Sequence, residues 1–109
     1  MKTFTYMGNK KFLYEIEYKT IENGLYIHRP FEIVRASKEP LYDFKGWQVS
    51  AKVGKSVTAG VGPLRTLALA RAYARDLTEI IPNIADAPLD WKPTREEMDA
   101  YHENARKYR

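Results

Sequence analysis

A chain of 109 residues has room for one domain around one core, and its 44% hydrophobic and 13% aromatic content argues for a packed globule rather than a disordered chain. With no cysteine, disulfide frameworks and thiolate metal sites are excluded. A cytoplasmic protein is expected, since no apolar leader opens the chain and no apolar run approaches roughly 18 residues. The net charge of +4 is uneven: residues 1–75 hold 13 Lys or Arg against 6 Asp or Glu, residues 76–103 hold 2 against 8, and Arg106, Lys107 and Arg109 make a basic tail. Such polarity suits an anionic partner at one part of the molecule or, equally, an ordinary surface whose charges happen to cluster.

The first half alternates with period two, the mark of half-buried strands. Phe4 and Tyr6 lead into a Gly8-Asn9 turn. Phe12, Tyr14, Ile16 and Tyr18 then line one apolar face, while Glu15, Glu17 and Lys19 turn the other way. Glu22-Asn23-Gly24 signals a hairpin, because Asn and Gly both tolerate positive φ. A third strand is predicted near Leu25–Ala36, limited by Pro30 to an edge or bulged position. Residues 37–46 read as a loop carrying Tyr42 and Phe44.

A second hairpin is predicted over 47–61. Trp47, Val49, Ala51 and Val53 alternate with Gln48, Ser50 and Lys52, and Val57, Ala59 and Val61 alternate with Ser56, Thr58 and Gly60. Residues opposite one another share a face, so a three-residue Gly54-Lys55-Ser56 loop is preferred; it sets Val53 opposite Val57 and Ala51 opposite Ala59. Gln48, Ser50, Lys52 and Thr58 then form an exposed face, with Lys55 at the tip.

Gly62-Pro63 breaks the strand and admits a helix from Leu64 or Thr66 to Ile81, closed by Pro82. Its apolar stripe is Leu67, Ala70, Tyr73, Ala74, Leu77, Ile80 and Ile81, and Arg71 and Arg75 lie one turn apart on its flank. Residues 82–93 contain three of the six prolines and read as an extended connector. Thr94 with Glu97 forms a capping box that opens a helix to Lys107. Its thin apolar line of Met98, Tyr101, Ala105 and Tyr108 suits weak docking or a partner. The expected architecture is α+β: an antiparallel sheet of about three to five strands packed on one main helix, plus a C-terminal helix. Residues 1–81 are the domain, 82–93 the connector and 94–109 the helix.

Catalytic signals are weak. Gly54-Lys55-Ser56 looks like the end of a phosphate-binding loop, but Val49 stands where that motif needs glycine and a β-run follows instead of a helix. Gly60-Val61-Gly62 with Arg65 suits an anion-binding turn or, more simply, a tight strand-to-helix turn. His28 and His102 sit on different elements with no second ligand at metal spacing. Glu15 and Glu17 share a strand face, which suits a paired-carboxylate role or, equally, simple exposure, and no serine occupies a nucleophile elbow. An enzyme is not expected, and neither a metal nor a cofactor is.

The stretch GWQVSAKVGKSVTAGVGPLRTLALARAYARDL, with Gly24-Leu25-Tyr26-Ile27 before it, resembles the arm-type DNA-binding domain of phage-type tyrosine recombinases. The shared pattern is a Gly-Leu-Tyr strand, a Trp-led strand, a Gly-Lys turn, a further strand, and a glycine break into an Ala- and Arg-rich helix, over residues 24–81. The resemblance implies a three-stranded antiparallel sheet backed by a helix, with the sheet's polar face against a DNA groove. This chain departs from the pattern in its extra hairpin at residues 1–21, its loop at 37–46 and its lack of a recombinase catalytic domain.

A β-ribbon fits the major groove, and lysine or glutamine on its outer face reaches bases or phosphates. The resulting expectation is a small DNA-binding protein of a phage or other mobile element. Its contacts would be Gln48, Ser50, Lys52, Lys55 and Thr58, flanked by Arg65, Arg71 and Arg75. The alternative is a protein-binding or inhibitor module using Tyr42, Phe44, Met98, Tyr101 and Tyr108 as anchors, with the C-terminal helix as a homodimer surface.

Overall fold

The computed structural model describes residues 2–7, 12–37, 39–42, 44–51, 57–58, 61–86 and 92–108. Strands β1 (Thr3–Met7) and β2 (Leu13–Glu17) pair antiparallel, with Phe4 opposite Ile16 and Tyr6 opposite Tyr14. Their period-two pattern sorts as expected: Phe4 and Ile16 are buried, while Thr3, Thr5, Glu15 and Glu17 are exposed. The Thr3 and Thr5 hydroxyls donate to the two oxygens of Glu15 at 2.9 and 3.0 Å, which commits that carboxylate to its own ladder. The Gly8-Asn9 turn lies outside the described residues.

Strands β3 (Thr20–Glu22) and β4 (Leu25–His28) follow, joined by Asn23 at φ 50° and Gly24 at φ 85°, the paired positive values a type I′ turn requires. The predicted third strand stops at His28. Pro30 fixes φ and offers no N–H, so the ladder cannot run through it. The chain resumes as β5 (Glu32–Ile33), which pairs with β6 (Pro40–Leu41) inside the stretch expected to be loop. Strand β7 (Gln48–Ser50) pairs with the far side of β4, giving the order β3–β4–β7.

The 47–61 hairpin departs from its predicted register. The Val57 N–H donates to the Val49 carbonyl at 2.9 Å, whereas the predicted register sets Val49 opposite Val61. The second arm instead turns at Thr58, whose carbonyl accepts N–H groups from Val61 and Gly62, both at 3.0 Å, with Gly62 at φ 70°. Lys52–Ser56, Ala59 and Gly60 lie outside the described residues.

Helix α1 (Leu67–Ile80) starts at Thr66, whose hydroxyl accepts the Leu69 N–H at 3.1 Å. Its stripe buries Ala70, Tyr73, Ala74 and Leu77 in one core with Leu25, Ile27 and Val49 from the inner face of the three-stranded sheet. A 3-10 turn (Ile84–Asp86) within the predicted connector adds Ile84 and Ala85 to that core. Helix α2 (Arg95–Lys107) opens on the predicted capping box of Thr94 and Glu97. It docks on α1: Ala105 is buried, and the Tyr108 ring meets Tyr73 edge-on at 5.2 Å.

The sheet is covered on both sides. Tyr26, His28, Gln48 and Ser50 share its outer face by register. Phe4 of the N-terminal hairpin lies on that face, stacked on Tyr26 at 4.6 Å with planes 9° apart, and 5.4 Å from His28. Phe31 closes on His28 at 5.6 Å, and Tyr18 meets Tyr26 edge-on at 4.9 Å. The α+β arrangement of antiparallel strands, main helix and C-terminal helix thus forms as expected, with an aromatic layer added between the hairpin and the sheet.

Candidate functional site

That aromatic layer covers the part of the predicted DNA-contacting face that carries Ser50. Ser50 is 1% exposed and Thr58 2%, so neither lies on an outer surface. Ser50 is buried because β1 and β2 cover its side of the sheet; there its hydroxyl donates to His28 Nε2 at 2.8 Å. His28 Nδ1–H donates to the Arg29 carbonyl at 2.8 Å, which fixes the tautomer. Burial holds the His28 pKa below its ordinary value, so the ring stays neutral. The pair therefore belongs to the packing and is closed to substrate. Gln48 is half-buried, and Lys52 and Lys55 lie outside the described residues.

The basic flank of α1 is partly neutralised. Arg71 Nε lies 3.2 Å and Arg75 Nε 3.6 Å from the two oxygens of Glu22, which the hairpin turn presents at the end of β3. Arg65 stands exposed just before the helix. Of the predicted protein anchors, Tyr101 and Tyr108 turn inward. The Tyr101 hydroxyl donates to the Val57 carbonyl at 2.7 Å, which the Tyr73 hydroxyl also reaches, and the Tyr108 hydroxyl donates to Asp76. Burial, and next the Asp76 carboxylate, push the Tyr108 phenol up to about 12. Met98 remains 42% exposed.

Tyr42 and Phe44 lead to a different place. An open cleft of about 220 Å³ is lined by Glu17, Tyr18, Lys19, Arg29, Tyr42 and Trp47. A second opening, lined by Arg29, Tyr42, Phe44 and Lys45, shares two residues with it, so the two form one groove. Each element supplies a part. β2 ends at Glu17, and the link from Tyr18 to Lys19 is held by N–H bonds to the Lys2 and Ile27 carbonyls at 3.0 and 2.8 Å. Arg29 follows β4 just where Pro30 turns the chain. Gly46, at φ 90°, has Pro63 so close that a Cβ there would lie 2.8 Å from the Pro63 Cβ. That approach lets Trp47 exchange two backbone hydrogen bonds with Leu64, at 2.7 and 2.8 Å.

The Arg29 guanidinium then lies 3.8 Å over the Trp47 ring while its Nη1 donates to the Gly46 carbonyl at 3.1 Å. Tyr42 Oη accepts the Glu17 N–H at 3.0 Å, and among the described residues nothing takes its proton. Burial raises the Tyr42 pKa, so the hydroxyl is a donor facing the groove at neutral pH. Among the described residues neither Lys19 nor Lys45 takes part in an ion pair. Among the described residues, the groove thus gathers three cations, a hydroxyl donor and aromatic rings around one carboxylate, Glu17.

Sequence reading found Tyr42 and Phe44 but not Lys19, Arg29, Lys45 or Trp47 as their companions, because the four are assembled from the ends of separate strands. Among the described residues no three His, Asp or Glu side chains converge on a metal-sized site, and no helix is long and apolar enough to cross a membrane. No protein-family model matches the chain, and neither curated proteins nor solved structures yield a match.

Proposed function

We propose that this chain is a non-enzymatic nucleic-acid-binding protein whose contact surface is the groove of Lys19, Arg29, Tyr42, Phe44 and Lys45. The observation that carries the reading is the contrast between its two basic regions. Arg71 and Arg75 share Glu22, whereas Lys19 and Lys45 have no acidic partner among the described residues and flank exposed or half-buried rings. Polyphosphate backbones are held by unopposed Lys and Arg, and bases by aromatic faces beside them. The outer sheet face, by contrast, is filled by Phe4.

Binding of a labelled oligonucleotide, titrated across salt concentrations, tests the reading. Each phosphate left without its cation makes the slope of log affinity on log salt shallower by roughly 0.7 to 0.9. The Lys19→Ala/Lys45→Ala double variant is therefore expected to bind more weakly with a slope shallower by about 1.5, while Arg71→Ala/Arg75→Ala changes little. Absence of binding at low salt, or the reverse ranking of the two variants, overturns it. A protein partner is the second reading. Phe44 and Met98, each 42% exposed, favour it, and capture of one protein partner, insensitive to nuclease and abolished by Phe44→Ala, would establish it instead.

A further inference from the structure

Resting on that reading, we infer that the groove takes single-stranded nucleic acid, with one unstacked base lying on the Arg29 guanidinium. Three features of the groove converge on this ligand. Arg29 is a fixed plane rather than a loose charge. One side lies 3.8 Å over Trp47 and Nη1 is tied to the Gly46 carbonyl, yet the residue stays exposed and borders both openings. A guanidinium held flat in this way offers its free face to a second planar group, as stacked Arg does with bases. Each internal base of a duplex already has neighbours on both faces, so away from duplex ends only an unpaired, splayed base can occupy that plane.

The groove's size and charge order agree with this. The opening beside Trp47, of about 220 Å³, suits one planar heterocycle, and the adjoining one, of about 350 Å³, leaves room for its neighbour. Lys45 and Phe44 stand at the second opening, where an adjoining phosphate and base would meet a cation and a ring. Glu17, exposed on the rim of the first opening, repels phosphate and accepts hydrogen bonds from base N–H groups, which favours a base over the backbone at that opening. The Tyr42 hydroxyl adds a donor between the two openings.

The experiment compares three fluorescent ligands on the full chain: a mixed-sequence single strand of about 12 nucleotides, its blunt duplex, and an abasic strand of equal length. The single strand is expected to bind about tenfold or more tightly than the other two. Arg29→Lys keeps the charge and removes the plane, so it should weaken the intact strand by about tenfold and leave the abasic strand unchanged. Circular dichroism verifies that the variant folds, and Phe44→Leu, which removes a ring without a charge, serves if it does not. Equal affinity for all three ligands overturns the single-strand inference while leaving nucleic-acid binding standing. An equal weakening on intact and abasic strands reduces Arg29 to a phosphate-binding cation and overturns it too. Binding to none of the three overturns both readings.

Discussion

His28 is enclosed by Phe4 and Phe31 and hydrogen-bonded at both ring nitrogens, so protonating it reverses the Ser50 bond and puts a charge in an aromatic layer. Burial lowers its folded pKa below the unfolded value near 6.5, so the unfolded chain binds the extra proton first. Its contribution to stability is whole above pH ~6.5 and is lost as pH falls from there toward the folded value. Urea midpoints should accordingly drop as pH falls below 6.5, and His28→Gln should flatten that part of the profile. An unchanged midpoint across this interval would show that His28 is not buried neutral. Asn104 offers the opposite case: it is 1% exposed, and neither side-chain amide atom has a hydrogen-bond partner among the described residues. An unpaired buried amide costs about 1–3 kcal/mol. Asn104→Leu, close in shape and apolar, is expected to raise stability by about 1 kcal/mol in the same assay.

At the scale of elements, the local signals were the legible ones. Asn23-Gly24, Thr94 with Glu97 and the stripe from Leu67 to Ile81 each act within a few residues, and each produced its predicted turn, cap or helix. The second arm after Val57 was misread because alternation does not record that Thr58 ends the ladder by taking two N–H bonds from residues just beyond it. Docking of α2 was one of the two expectations for its thin apolar line, and the contact that helps fix it, Tyr101 reaching a carbonyl 44 residues away, leaves no local mark. Tyr101→Phe should cost about 1 kcal/mol, with Tyr73 still bonded to the same carbonyl; no change in thermal denaturation would mean that α2 is held by packing alone. Gly46→Ala tests how the groove is built. A Cβ at φ 90° faces backbone strain of roughly 1–2 kcal/mol in addition to the Pro63 contact. It should destabilise the fold and shift Trp47 fluorescence, because the Trp47–Leu64 bonds move with it.

Across the whole molecule, function depends on which surfaces the fold covers. A radius of gyration of 13.5 Å matches the roughly 13 Å of a packed chain this long. Part of the sheet face implied by the resemblance to recombinase arm domains is spent on packing against Phe4 and Tyr18, which belong to the extra N-terminal hairpin, one of the features by which this chain departs from that pattern. Period two assigns Phe4 to a buried face but not to a particular neighbour, and Tyr26 is 22 positions away. The groove was illegible for the same reason: Lys19, Arg29, Lys45 and Trp47 are ordinary in isolation and acquire meaning only where strand ends meet. Backbone amide shifts, followed by NMR as a short unlabelled single strand is added to the isotope-labelled protein, test this location most directly. The largest shifts should fall on Lys19, Arg29, Tyr42, Phe44, Lys45 and the Trp47 indole. Shifts centred on residues 52–58 and the Arg71–Arg75 flank, or on Met98–Tyr108, would contradict it.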